Sequence, residues 1–388
     1  MQPVIDLDKE YGIVLEGGGA KGAYQVGAWQ ALKEAGIKIK GIAGTSVGAL
    51  NGAMMCMDDL ERAERVWSHL TYSQVMDVED QKMARLLEGD TPFWEALSDV
   101  AKRMGEGGLD ITPLKNLILE VVDEEKIRNS PRELYIKTFS VDELKELDID
   151  LKSVEPGYMK DLLLASAYIY PLFKNEKLHG RKYIDGGAIN NVPLDSLVDR
   201  GYQNIIMIRI FGIGREKRVK IPEGTQIFTI EPRVNLGNII DFNPEKSRRN
   251  MKIGYYDAQR MIYGLQGKIY YIEENEEECY YLRKLLQIPE EARDRLLERY
   301  HTWEKSEGRI RAFVEKVLPG VAMELKLSRE WTYKELYLAI LEATAKICRI
   351  PKYRVYTVEE LREEVKNRLF KMDAEKIEEL PVFVWFFA

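Results

Sequence analysis

A chain of 388 residues, 45% hydrophobic and 31% charged, can bury a sizeable core and leaves little scope for long disorder. Its net charge of −7 gives no overall attraction to nucleic acid or anionic lipid, so no nucleic-acid partner is expected. Three scattered cysteines, Cys56, Cys279 and Cys348, argue against a disulfide framework and, with no Cys-x-x-Cys pair, against a metal site; they fit a reduced compartment.

In chain order, Met1 to Glu10 lack both the basic region and the apolar run of a secretory signal. No run approaches the roughly 18 apolar residues of a membrane-spanning helix, so a cytoplasmic location is expected, with any membrane contact peripheral. Residues 11–57 then read as strand, helix, strand, helix, with a glycine-rich turn after each strand. The first turn is Gly17-Gly18-Gly19-Ala20-Lys21-Gly22. It matches the Gly-x-Gly-x-x-Gly spacing of a dinucleotide site, which also needs an acidic residue about 20 positions on to hold the ribose. No Asp or Glu occurs between Glu34 and Asp58, and the second strand ends on a serine instead. The favoured alternative is an oxyanion hole, a set of backbone N–H groups aimed at a developing negative charge.

The second turn, Gly44-Thr45-Ser46-Val47-Gly48, has the pattern of a nucleophile elbow. Its flanking glycines leave room for the close backbone approach of a sharp strand-to-helix turn. The small-residue helix from Val47 would place partial positive charge beside Ser46. A helix over Leu60–Leu70 follows, then an irregular stretch, 72–110, containing Met76, Met83, Phe93, Trp94, Met104 and Gly105-x-Gly107-Gly108. That stretch reads equally as a lid over an apolar site or as a helical excursion packed on the core. Strands are expected at Leu134–Val141, Ile205–Ile210 and Gln226–Ile230, alternating with helices as a mostly parallel sheet requires.

A base for the serine is offered by Tyr183-Ile184-Asp185-Gly186-Gly187, where a short strand ends in a turn that leaves a carboxylate at its tip. Asp-Gly pairs also occur as plain turn formers. Of the three histidines, His69 falls on a helix, His179 at a hairpin tip, and only His301 follows Asp185 in the Ser…Asp…His order of α/β-hydrolases. Its setting, Glu298 to Glu304, reads as a charged helix.

Together, the GGGAKG, GTSVG and DGG turns resemble the patatin-like phospholipase family, of the bacterial type. The helix Asp161–Ala167, Asp241-Phe242 and the segment from Gly254 to Ala258 extend the likeness over roughly residues 11–275. The resemblance implies a three-layer α/β/α fold and hydrolysis of lipid acyl esters by a Ser-Asp dyad, with no cofactor or metal. Carried over, Ser46 is the nucleophile and Asp185 the base, while Gly17, Gly18 and Gly19 bracket the oxyanion hole. Lys21, Gly22, Gly44, Gly48, Gly186 and Gly187 support these turns. Lys21 stands where the plant-type pattern has Arg, which keeps the charge but loses the planar multi-donor group. Tyr168-Ile169-Tyr170-Pro171 departs from the plainer Ala-Ile-Pro of many relatives.

Two basic clusters, Arg215 to Lys220 and Lys246 to Lys252, read most simply as solvated, and as contacts to an anionic surface in the alternative. The acidic run Glu273–Glu278 marks an expected boundary, giving an acyl-hydrolase domain over 1–275 and a mainly helical region over 276–388. In that region Thr332-x-x-Glu335 and Thr357-x-x-Glu360 are capping boxes, Glu291–Leu318 reads as a helix, and the aromatic tail Phe383–Phe387 packs inward. Its role, including a homo-oligomer contact, is open.

Overall fold

The computed structural model describes residues 1–87, 109–169, 172–173, 177–300 and 308–388. By contact the chain divides into two compact units, 2–263 and 264–388, with Met1 joining the latter.

In the first unit a sheet runs in the order β4 (Lys145–Asp150), β3 (Glu133–Ser140), β2 (Lys38–Thr45), β1 (Glu10–Leu15), β6 (Asn204–Ile208), β7 (Gln226–Ile230). The pairs β1–β2, β2–β3, β1–β6 and β6–β7 are parallel, and β4 adds an antiparallel edge. The inner strands β1 and β6 therefore read as largely buried apolar runs rather than as alternating ones, because helices cover both faces, whereas the edge strands β4 and β7 are mostly not buried. One face of the sheet, through Val14, Ala43, Tyr135 and Ile205, packs on Leu197 and Val198 of a short helix. Gly12 and Gly41 lie on that same face, where Leu197 and Tyr202 or Tyr202 alone would meet any side chain. On the other face Leu15, Ile42 and Leu134 approach Gly52 in the helix after the elbow. This is the expected three-layer α/β/α arrangement with a mostly parallel sheet.

Helix α1 (Ala23–Glu34) follows β1, and α2 (Val47–Cys56) follows β2. The helix expected over Leu60–Leu70 is α3, Leu60–His69, with the Asp59 carboxylate accepting from the Arg62 N–H at its start. Asn51 ties the three helices together. Its Nδ2 donates to the Gly22 carbonyl and to Gln25 Oε1, and its Oδ1 accepts from Trp67 Nε1, each at 2.9 Å. Such a buried polar group is tolerated because it is satisfied. Within the irregular stretch, Tyr72–Gln74 is one 3₁₀ turn and Asp80–Leu86 a short helix, with Met76 and Met83 buried. Phe93, Trp94, Met104, Gly105, Gly107 and Gly108 lie outside the described residues, so the lid reading is carried no further. A short helix, Glu124–Asn129, and helices α4 (Thr112–Val121), α5 (Met159–Ser166), α6 (Leu194–Val198) and α7 (Pro244–Tyr263) belong to the same unit.

The second unit has its own core, built on Tyr270, Tyr281, Phe313, Leu336, Leu341, Leu361 and Val365. Both expected capping boxes are formed, at the starts of α8 (Tyr333–Ile347) and α9 (Val358–Phe370). The single helix expected over Glu291–Leu318 is broken instead. One helix ends at Arg299, the chain is helical again from Arg309, and Phe313–Val317 is a π turn. Phe383, Phe386 and Phe387 are buried, as the inward-packing tail requires.

Candidate active site

The site is set by one strand. Along a single edge of β3, β2 runs parallel and ends with Thr45 opposite Lys137. On the same edge β5 (Tyr183–Asp185) runs antiparallel and ends with Asp185 opposite Thr138. The two strands thus meet head-on, C-terminus to C-terminus, at adjacent register positions. Ser46 follows the end of one, and Asp185 is the end of the other.

Ser46 has φ 55° and ψ −125°, a left-handed conformation that L-residues rarely hold and that characterises an elbow. Its backbone is pinned, since the Ser46 N–H donates to Ser166 Oγ (2.9 Å), which donates in turn to the Lys137 carbonyl (2.7 Å). The flanking glycines are steric necessities. A Cβ at Gly44 would strike the Gly48 backbone, and one at Gly48 would strike the Leu15 carbonyl.

Asp185 is buried, and its carboxylate accepts from the Gly187 N–H at 2.7 Å. Burial pushes its pKa from 3.8 up to about 6, against the hydrogen bonds from Ser46 and Gly187 that favour the charged form. Gly186 is needed because a Cβ there would collide with the Lys137 carbonyl; at Gly187 it would meet Asn191 Oδ1 at 2.6 Å.

The glycine turn divides its donors. The Gly17 N–H donates to the Asn191 carbonyl at 3.1 Å and is spent. Gly18 and Gly19 N–H have no hydrogen-bond partner among the described residues. Gly19 lies at φ 54°, with the Ile239 carbonyl where a Cβ would sit, so only glycine fits. The Ala20 N–H donates to that same carbonyl at 2.7 Å. Lys21 is held elsewhere in its own contacts, its Nζ donating to the Phe211 carbonyl at 2.6 Å. Burial lowers the Lys21 pKa, with Glu16 opposing.

Sequence reasoning missed three supports. Glu16, 2% exposed, closes β1 and receives the Ile210, Phe211 and Gly212 N–H groups and Arg209 Nε at 2.8–3.1 Å. Asn191 Nδ2 donates to the Gly17 carbonyl at 3.0 Å, completing a two-way clamp on the first glycine. Ser166 is the third. The available signal for Glu16 was a carboxylate ending an otherwise apolar strand; Asn191 and Ser166 carry none at the level of spacing.

Beside Ser46 opens a narrow cleft of about 80 Å³ lined almost wholly by apolar side chains, among them Leu50, Met54, Leu70, Leu117, Ile118 and Phe242. Ser46 and Gly19 both face it. His69 lies on the surface of α3 with Nδ1 against the Arg65 carbonyl, and His179, at its hairpin tip, pairs with Asp161. Neither hydrogen-bonds Ser46 among the described residues. His301, with Tyr170 and Pro171, lies outside the described residues. Among the described residues no group of acidic, His and Cys side chains is arranged to hold a metal, and no helix is long and apolar enough to cross a membrane.

An α/β sheet carrying a strained serine, a buried carboxylate and a glycine turn with open N–H groups is an arrangement able to support acyl transfer through a serine. Residues 13–198 match the family model described as patatin-like phospholipase. It is 27% identical over 203 residues to patatin-like phospholipase domain-containing protein ZK370.4 of Caenorhabditis elegans, covering 50% of this chain and 13% of that protein. Neuropathy target esterase sws of Drosophila melanogaster is 26% identical over 212 residues, covering 51% of this chain and 13% of the relative. Lysophospholipase nte1 of Aspergillus terreus is 56% identical over 50 residues, or 13% of this chain and 3% of the relative. The chain therefore spans only a small part of these relatives' length. Among solved structures, VipD from Legionella pneumophila aligns at TM-score 0.41 and 13% identity, over 97% of this chain and 83% of that one.

Proposed function

We propose that this chain is a lipid acyl hydrolase that cleaves carboxylic esters of phospholipids or lysophospholipids through Ser46 and Asp185. The observation that carries the reading is the head-on meeting of β2 and β5, which sets a strained serine against a buried carboxylate of pKa about 6. An ordinary aspartate near 3.9 is a poor base for a hydroxyl, and the raised value brings it closer to operating pH. Ser46 Oγ attacks the ester carbonyl while Asp185 takes its proton. The Gly18 and Gly19 N–H groups stabilise the oxyanion, which at one donor lost is worth about 2.7–4 kcal/mol. Asp185 then returns the proton to the leaving alcohol or lysolipid, and water, deprotonated by the same carboxylate, releases the acyl group. The apolar lining of the cleft suits the hydrocarbon part of an acyl ester, and a lipid substrate implies work at a membrane periphery. The names of the relatives, which include a lysophospholipase and an esterase, support the substrate class.

The test is turnover of p-nitrophenyl butyrate and a phospholipid and lysophospholipid panel by the wild type, Ser46→Ala, Asp185→Asn and His301→Ala. Loss of roughly 10⁴-fold or more in the first two, with His301→Ala near wild type, is expected for residues that act as a unit. A folded His301→Ala protein that is equally dead would replace the dyad with a triad.

A further inference from the structure

The strap 209–221 is stitched to both halves of the site. Glu16 holds the backbone of Ile210 to Gly212, and Gly212 abuts Gly17 so closely that a Cβ would strike its carbonyl. Further on, the Arg215 N–H donates to the Gly187 carbonyl (2.9 Å), and its own carbonyl accepts from the Asn191 N–H (2.6 Å). The backbone of the strap is therefore fixed against the glycine turn and the Asp185 turn together.

Of its side chains, those of Arg209, Glu216 and Lys217 are paired, and most of the others are exposed. Phe211, Ile213 and Ile221 are 49%, 46% and 39% exposed, in a chain whose other large apolar residues are mostly buried. Arg215, Arg218 and Lys220 are exposed and enter no ion pair among the described residues. The one acid between 211 and 221, Glu216, is taken by Arg209, and Lys217 is taken by Asp195. The result is a local excess of three cations interleaved with three apolar side chains, on a chain of net charge −7. Apolar side chains among cations are the combination that enters the headgroup boundary of a bilayer, the former displacing water and the latter meeting lipid phosphates. A solvated loop needs the cations but has no use for the exposed Phe and Ile.

We propose that strap 211–221 is a docking surface for an anionic lipid bilayer, and that it sets the Ser46 cleft at the lipid–water interface. The proposal rests on the lipid hydrolase reading for its purpose, but its binding is measurable without turnover. Because the strap is held by its backbone, a bilayer bound to its side chains is held in fixed register with Ser46.

The experiment is co-sedimentation of the Ser46→Ala chain with phosphatidylcholine vesicles, with and without phosphatidylglycerol. The comparison is the same chain carrying Ile213→Ser, Arg218→Glu and Lys220→Glu, all exposed positions, the two cations entering no ion pair among the described residues. The Ser46→Ala chain is expected to sediment with the phosphatidylglycerol vesicles in a salt-sensitive way, and the triple substitution to lower partitioning about tenfold or more. Equal partitioning by the two chains, binding indifferent to phosphatidylglycerol, or no vesicle binding at all overturns the proposal. Carried into the active chain, the triple substitution is expected to leave p-nitrophenyl butyrate turnover within about twofold, which confirms a folded site. Vesicle binding that depends on the strap in a chain inert towards every ester would retain the docking surface and remove the hydrolase reading.

Discussion

Asp185, the proposed base, sits where two opposing demands on such a carboxylate meet. Burial raises its pKa to about 6, which a base needs, and the Gly187 N–H and Ser46 hydroxyl keep the charged form attainable. kcat/KM is accordingly expected to fall as pH drops through about 6, because protonated Asp185 cannot accept the serine proton. The same shift has a cost in stability. Between 3.8, where the unfolded carboxyl titrates, and about 6 the folded protein holds the extra proton, so stability falls as pH rises through that window and stays lowered above it. A rise from 3.8 to about 6 corresponds to roughly 3 kcal/mol. Asp185→Asn should therefore melt above wild type at pH 8 and converge with it below pH 3.8, a difference that thermal denaturation across pH reads directly. Glu16 makes the contrasting case of a buried carboxylate surrounded by donors. Glu16→Gln keeps the shape but gives up one acceptor, leaving N–H groups of 210–212 short of a partner. It is expected to lower kcat by tenfold or more with KM for a soluble ester little changed, because the strap it holds abuts the glycine turn.

The most demanding contact between elements is that of α1 with α7. Gly27 lies so close to α7 that a Cβ would overlap the Met251 carbonyl, and a Cβ at Gly254 would overlap the Tyr24 carbonyl. Each helix thus offers a glycine to the other's backbone, a close approach that needs no side chain on either. Gly254→Ala should force the helices apart and destabilise by about 1–3 kcal/mol, more than the helix propensity of alanine returns. A denaturant melt of the variant checks it, and a stability equal to wild type would mean that the helices separate without penalty. The crossing also carries Gln25 from α1 into the Asn51 network, so loosening it is expected to reach the elbow helix.

The chain's two units carry separate cores, one around the sheet and one around α8 and α9. All residues assigned to the site fall in the first. A fragment of residues 1–263 is therefore expected to hydrolyse p-nitrophenyl butyrate within a few-fold of the full chain, and residues 264–388 to unfold cooperatively alone. A 1–263 fragment that folds but turns over no ester, beside an active full chain, would place part of the catalytic apparatus in the second unit.

What the sequence determined by itself were the features written in local chemistry. GTSVG needs its two glycines because an elbow brings strand and helix backbones into contact, and Thr332-x-x-Glu335 satisfies orphan N–H groups within its own turn. These need no distant partner, so spacing reveals them. The two residues of the proposed dyad could be nominated the same way, Ser46 and Asp185 each from its own turn. Tertiary structure decided whatever required two distant segments at one place. That β2 and β5 share an edge of β3, tip to tip, is a property of strand order, and no residue in either strand encodes it alone. Gly17 loses its N–H to Asn191, a residue 174 positions away, and only Gly18 and Gly19 are left open. Lys137 shows the limit most plainly. In sequence it is a charge interrupting an apolar strand, whereas in the fold it is buried against Glu146, Asp148 and Asp195. Burial of a charge depends on who arrives to neutralise it, and that is settled only when the chain has closed around it.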